Sequence, residues 1–446
     1  VFQQSATLNR AGAVSTSHAL VHTARREIRW NWIISRRSDS AWFIGSALGG
    51  WTYVALVLIL GSGLTDPRHD TLYHLSFTGI SLPLTLELLI FTSWVYFMDL
   101  PHLWATLSRT YLDPGEWSER GRELSFSLVW FVAGPLAVFG PYLLGTFVPL
   151  TPAIMALGGA LFFVFFRAWG YYHIVRQHWG FLSLYNRRNG DISDPLENRV
   201  DFWFFNLSLY LPIAILLTSP IPEGTRLLHI DFNLGVLSRF GILQVLYPVA
   251  VGLYVITIGG YISFQFARWH FRVPRNGPKL LFLLSIVPLH FAAFLHPLLA
   301  LFTVPIITTG HNLQYQRIVW MYGTNKYAEG TTREYRFTRP IYRHLWLYVF
   351  CAMLFAAWFG WLDSVGDTFA FYFDRWVFQG VGLIAGLRNP AEANVGAEVF
   401  SLFLMGWALQ HYYLDGKIWH VSRDASVAKN LKVQQDAERV RPQNDG

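Results

Sequence analysis

The residues best suited to chemistry are histidines and aspartates that recur in four short blocks. His411 and Asp415, in QHYYLDGKIWH, are four apart, so a helix puts both on one face, where they could share a metal ion. Asp99 and His102, in MDLPHLWATLSRTYLD, are three apart; Pro101 suits the first turn of a new surface helix, and Thr106 and Arg109 continue its face. His311, Gln314 and Tyr315 share a face in GHNLQYQRIVW. His173 and His178, in YYHIVRQHWGF, are five apart and do not share one, although Gln177 lies on the His173 side. Both would reach one centre only if the helix unwinds near Trp179–Gly180. Imidazole and carboxylate suit iron, zinc or manganese, and helical bundles build di-iron sites from facing helices. Any single histidine is as well explained by bonds to lipid headgroups, backbone carbonyls or another histidine. The metal reading rests on four blocks arriving together, because intramembrane polar clusters are usually functional.

Those blocks need elements that carry them to one level. The chain has 446 residues, 53% hydrophobic, 17% aromatic and only 14% charged, against about 25% charged in an ordinary soluble domain. Apolar runs long enough to cross a bilayer lie at 41–62, 74–98, 123–146, 152–176, 202–219, 239–266, 279–297, 298–318, 345–362 and 396–418. The stretch 279–318 is divided at His296–Pro297, since proline disfavours helix at the preceding residue. With both termini cytoplasmic, the outer loops then hold only Arg68, Arg226, Arg239, Arg375 and Arg388 among the basic residues, as the positive-inside rule asks. The expected fold is an all-α polytopic transmembrane bundle of about ten spans. It consists of an N-terminal arm over 1–40 with a basic amphipathic helix at 15–33, a transmembrane domain over 41–418, and a cytoplasmic tail over 419–446, polar from Ser422. Segment 376–390 is short enough to be re-entrant.

The charge of +7 could suggest nucleic acid, but the basic residues lie in short loops between apolar runs, which is how a membrane protein marks its inner face. The lone Cys351 excludes an intrachain disulfide and a cysteine-rich metal site. Residues 1–40 do not read as a cleavable secretory signal. Counted from the inner ends of their spans, Glu87 and Arg167 fall at similar depth, which predicts a buried ion pair. His290 falls at that depth too, as a reserve ligand or a helix-packing hydrogen bond. His18 and His22 read as incidental, and His69 and His229 as outer-side residues.

Pro101–His102, the His173…Arg176–Gln177–His178 block and the His411…Asp415 block resemble the Brp/Blh-type membrane carotene dioxygenases. This sequence departs from them in lacking a glycine after His102 and in having Gln410 where they have proline. The resemblance implies iron held by histidines on transmembrane helices and oxidative chemistry on an isoprenoid or other lipid. Desaturases fit less well, because no adjacent His–His occurs. Membrane O-acyltransferases match only at Arg268–Trp269–His270, an interfacial anchor. The leading expectation is therefore a membrane metal-dependent oxygenase or oxidoreductase with a mono- or dinuclear centre, most simply iron, at the cytoplasmic membrane face. Its ligands would be His102, His173, His178, His311, His411 and Asp415, with Asp99 and His290 as further candidates. Arg109, Gln314 and Tyr315 would orient them. The alternatives are a haem-binding electron carrier, in which histidine pairs serve as axial ligands, and a non-catalytic subunit of a membrane complex. A transporter would gather its polar residues nearer the midplane. Expected partners are membrane lipids, a lipophilic small-molecule substrate and an electron donor or complex partner, with no nucleic acid. The expected location is a bacterial-type inner membrane.

Overall fold

The computed structural model describes residues 27–66, 69–77, 80–219, 226–227, 230–231, 241–328, 335–373, 395–421 and 423–432. The apolar runs fold as helices: α1 (Arg36–Gly61), α2 (86–110), α3 (Pro114–Gly145), α4 (Pro152–Asn189), α5 (Pro195–Thr218), α6 (Ile242–His270), α7 (Gly277–Leu295), α8 (Thr303–Lys326), α9 (Leu345–Phe373) and α10 (395–418). Their starts follow from local chemistry. Ser35, Thr85, Thr151, Asp194 and Asn276 each accept a backbone N–H of the first turn, and proline stands in the opening turn of α4, α5 and α7. Gly190, at φ 78°, ends α4 in the left-handed conformation that only glycine adopts at no steric cost.

Seven of these helices, α1, α3, α4, α5, α6, α7 and α9, are long and apolar enough to cross a membrane, with window hydropathies of 1.7 to 1.9. In the apolar windows of α3, α4 and α6 only 11% of residues are buried inside the molecule. Helices apolar all round yet facing outward cannot be resting against water, so the molecule is an all-helical integral membrane protein. The three expected spans outside this set, α2, α8 and α10, are those that carry His102, His311 and His411. Their polar side chains lower the mean hydropathy, and they are turned inward rather than toward lipid. The division of 279–318 is seen directly: His296 is extended at φ −97° and ψ 122°, a short turn Pro297–Ala300 follows, and α8 starts at Thr303.

Four expectations are corrected. The run 74–98 is not a helix throughout, because Thr71–Phe77 and Ile80–Thr85 form an antiparallel hairpin. This stretch holds three Thr with one each of Tyr, Phe and Ile, and its Pro83 fits an edge strand but not a helix interior. The helix therefore begins at Leu86 and runs to Thr110 without a break at Pro101. Pro101 has no N–H to return toward Phe97, and the helix absorbs this with a π segment, Val95–Asp99, just before it. Glu87 is fifteen residues before His102 whereas Arg167 is six before His173, and the two histidines lie together, so Glu87 and Arg167 do not share a depth and the expected pair is lost. Glu87 stands in the first turn of α2 with His69 and Asp66 as charge neighbours, while Arg167 lies beside Tyr412 with its guanidinium near the Phe166 ring. Residues 27–33 are not helical, and Ile28–Arg29 pair in parallel with Arg275–Asn276. The rest of the 15–33 helix, His18, His22, His229 and the segment 376–390 lie outside the described residues. Finally, the polar tail contains a docked helix, α11 (Ala425–Asn430). Asp424 caps it and pairs with Arg120, Val427 and Ala428 are buried, and Asn325 donates to the Asn430 carbonyl at 2.7 Å.

Ion pairs gather at the end of the bundle where α4, α6, α8 and α10 finish. Lys279 meets Glu197, Asp201 and Asp191 at 2.6, 2.9 and 3.1 Å, and Arg268 bridges Asp194 and Glu197. The hydrogen bond from Arg268 holds the exposed Asp194 carboxyl below its ordinary range. Lys326 meets Asp113 at 2.5 Å and Glu116 at 3.1 Å.

Candidate metal centre

Two glycines let the ligand-bearing helices approach. A Cβ on Gly50 of α1 would lie 2.4 Å from the Ile306 carbonyl of α8, and one on Gly406 of α10 would lie 2.5 Å from the Phe131 Cα of α3. At the depth so fixed, His102 of α2, His173 of α4, His311 of α8 and His411 of α10 come together, each with a ligand atom within 4.8 Å of all the others. All four are buried, at 3, 7, 2 and 3% exposure. Their rings close a cycle: His102–His411 centroids are 4.4 Å apart, His411–His173 4.7 Å, His173–His311 5.1 Å and His311–His102 4.8 Å. The His411 Nε2 is 2.7 Å from that of His102 and 3.1 Å from that of His173. Nitrogens bound at right angles to one ion, each about 2.1 Å from it, are about 3.0 Å apart. The spacing suits a shared ion. Four buried imidazoles of this kind could hold one.

Behind the rings lies a hydrogen-bonded chain. With the His411 Nε2 left free for an ion, its Nδ1–H donates to the Thr106 hydroxyl at 2.6 Å, and Thr106 donates to Asp415 Oδ1 at 3.1 Å. The Tyr315 hydroxyl donates to the same oxygen at 2.5 Å and receives the Trp419 indole N–H at 3.3 Å. Each donor finds an acceptor, and the chain ends on a carboxylate. This is the arrangement that fixes a metal-ligating imidazole in one tautomer and orientation.

Of the expected residues, His102, His173, His311 and His411 join, and Asp415 stands one hydrogen bond behind them. Its Oδ2 is 3.9 Å from the His173 Nε2. Tyr315 is hydrogen-bonded to Asp415 and in contact with the Thr106 hydroxyl. Arg109 touches none of the histidines: it donates to the Ile418 carbonyl at 2.9 Å and lies 4.2 Å over Tyr322 and 3.8 Å over Trp419, fastening the end of α10. Gln314 turns to α1, donating to the Phe43 carbonyl at 2.8 Å. Asp99 lies near Asn312 and Tyr412, outside the group. His178 is excluded because α4 does not unwind. Five residues turn a helix by about 140° past a full turn, so His178 faces His290 and His311, with ring centroids 5.8 Å away in each case. His290 sits in that second group, its Nδ1 3.2 Å from the Tyr171 hydroxyl. The roles of Thr106, Tyr412, whose ring lies 4.8 Å from that of His173, and Trp419 were not expected. For Thr106 the signal was present, since it is four residues after His102.

A cavity of about 420 Å³ lies among α1, α2, α8 and α9, and none of the four histidines is in its lining. Trp42, Phe97, Leu345, Val349 and Met353 give it apolar walls, and Arg37 and Arg317 are also in its lining. Pro101 and Gln316 form part of its wall, joined by a hydrogen bond from the Gln316 amide to the Pro101 carbonyl, so the wall belongs to the helices that carry His102 and His311. No protein-family model, curated protein or solved structure matches the chain.

Proposed function

We propose that this protein is an integral-membrane, metal-dependent oxidoreductase of the oxygenase type, acting on a lipid or isoprenoid. The observation that carries the proposal is the ring of four buried histidines from four helices, backed by the Thr106–Asp415–Tyr315 chain. The donor set fits a metal, for it is all imidazole, it is shielded from water, and the His102 and His311 Nδ1 atoms are buried with no hydrogen-bond partner in the protein. Iron bound there would supply electron exchange with dioxygen, which no ordinary side chain provides. The protein's own contribution is to hold His411 in one tautomer, to keep water from the centre and to seat an apolar substrate in the cavity among α1, α2, α8 and α9. A porphyrin brings four in-plane nitrogens of its own and asks a protein for two axial ligands at most. Four imidazoles closing one cycle favour a bare ion over haem.

Ten spans, with the ion-paired end of the bundle facing the cytoplasm of a bacterial-type inner membrane, accommodate all the helices and the bias of basic residues. The likeness to Brp/Blh-type dioxygenases suggests an isoprenoid or other lipid as substrate; an electron donor or a membrane-complex partner is a separate part of the proposal. In the test, purified protein is given a panel of isoprenoids under ¹⁸O₂. Metal-dependent appearance of labelled carbonyl or hydroxyl products supports the proposal. Absence of bound metal, or of any oxygen uptake across the panel by metal-loaded protein, overturns it.

A further inference from the structure

Next to the four-histidine ring, on the far side of His311, buried lone pairs converge with few partners. Tyr171 donates its hydroxyl hydrogen to the Leu209 carbonyl at 2.7 Å, so its contact with His290 at 3.2 Å must be donated by the His290 Nδ1–H. That fixes the tautomer and leaves the His290 Nε2 as a bare acceptor, which is buried and has no hydrogen-bond partner. The His178 ring nitrogens, the Gln314 Oε1 and the His311 Nδ1 are also buried, and apart from the contact between the Gln314 side chain and the His178 ring none has a hydrogen-bond partner in the protein. His178, His290 and Gln314 are 0% exposed and His311 is 2% exposed. His178 stands between the other two histidines, with its centroid 5.8 Å from each, and Gln314 adjoins it. Leaving one buried polar atom unsatisfied costs about 1–3 kcal/mol. Several in one place leave buried polar atoms that a bound ligand would satisfy.

We infer that His178, His290 and the Gln314 side-chain oxygen form a second binding position for a divalent transition-metal ion, bordered by His311, so that the centre is dinuclear. The inference rests on the proposed four-histidine site and extends it. Two imidazoles and an amide oxygen suit iron, manganese or zinc, and bundles of this kind commonly place two such ions side by side. One half of the second position is preset, because Tyr171 and Leu209 aim the His290 nitrogen, as metal-binding histidines are commonly aimed.

Stripped full-length protein in detergent micelles is titrated with Co²⁺, followed by visible absorption, and metal content is read by mass spectrometry. The wild type should take up two equivalents. The double variant His178→Gln/His290→Gln should take up one, with unchanged elution on size exclusion, and His411→Ala should lose the equivalent that the double variant keeps. One equivalent in the wild type, lost in His411→Ala, overturns the second position and leaves the first standing. Two equivalents in the double variant also overturn it. No uptake by the wild type sinks the four-histidine reading along with it. If the double variant fails to elute as folded protein, His290→Asn alone serves, with binding of the second equivalent expected to weaken at least tenfold; unchanged binding counts against the inference.

Discussion

The Thr106 hydroxyl connects three elements of the site, touching the His411 ring, the Asp415 carboxylate and the Tyr315 hydroxyl. Because Asp415 stands behind the ligand ring, its task is to hold the Nδ1 side of His411 through Thr106. Partners of this kind are worth about 10–100-fold in metal affinity. Thr106→Val keeps the volume and removes the hydroxyl, so metal affinity should fall by about that factor while the protein still inserts in the membrane. A competition titration against a chelator reads this, and unchanged affinity would mean that the chain does not orient His411. Asp415→Asn should weaken metal binding in the same direction, and less than His411→Ala. The spacing of His411 and Asp415 told the sequence reader that the two work together. It did not tell which of them faces the ion, because two residues on one helical face differ in depth by only about one turn.

At the scale of elements, the helices that pay for the site in hydrophobicity are α2, α8 and α10. The apolar runs of the chain foreshadowed the helices closely at α1, α7 and α10, whereas α4 and α8 run on well past the apolar stretch as polar helix. The hairpin at 71–85 was hidden because an apolar run of strands and an apolar run of helix look alike until Pro83 and the β-formers around it are weighed. The depth of Glu87 was counted from an inner end at residue 98, whereas the helix runs on to Thr110, so Glu87 stands farther from that end than expected and its expected partner is lost. Two element-level outcomes follow. Lys279, wholly buried among three carboxylates, joins α7 to α5 and to the end of α4. Lys279→Met strands those charges, and loss of one partner from a buried group typically costs about 3–5 kcal/mol. Thermal unfolding in detergent should shift down clearly, and an unshifted transition would contradict the pinning role. Ala352, in the cavity wall on α9, is the place to fill the cavity without touching a histidine. Ala352→Trp should abolish turnover of the lipophilic substrate while leaving metal content intact. Full activity in that variant would place the substrate elsewhere.

For the molecule as a whole, the apolar outer surface, the inward-turned histidine helices and the ion-paired end describe one object: a membrane-type helical bundle with a buried polar centre. In each contributing helix the backbone continues about two turns or more past the histidine, toward the end where Lys279, Arg268 and Lys326 are paired. That end should face the cytoplasm. In a Cys351→Ser background, Arg343→Cys should resist a membrane-impermeant maleimide in sealed cells and react after lysis. Ready labelling from outside would invert the proposed topology. The claim on which everything else depends is that the four histidines bind one ion together. X-ray absorption at the metal edge of the purified protein tests it most directly. The account predicts a shell of nitrogen and oxygen scatterers about 2.0–2.2 Å from the metal, with the outer-shell pattern of several imidazoles, weakened together with the metal content on replacing His411 by alanine. Protein purified without bound metal, or a metal whose spectrum carries no imidazole pattern and does not change in that variant, would contradict it.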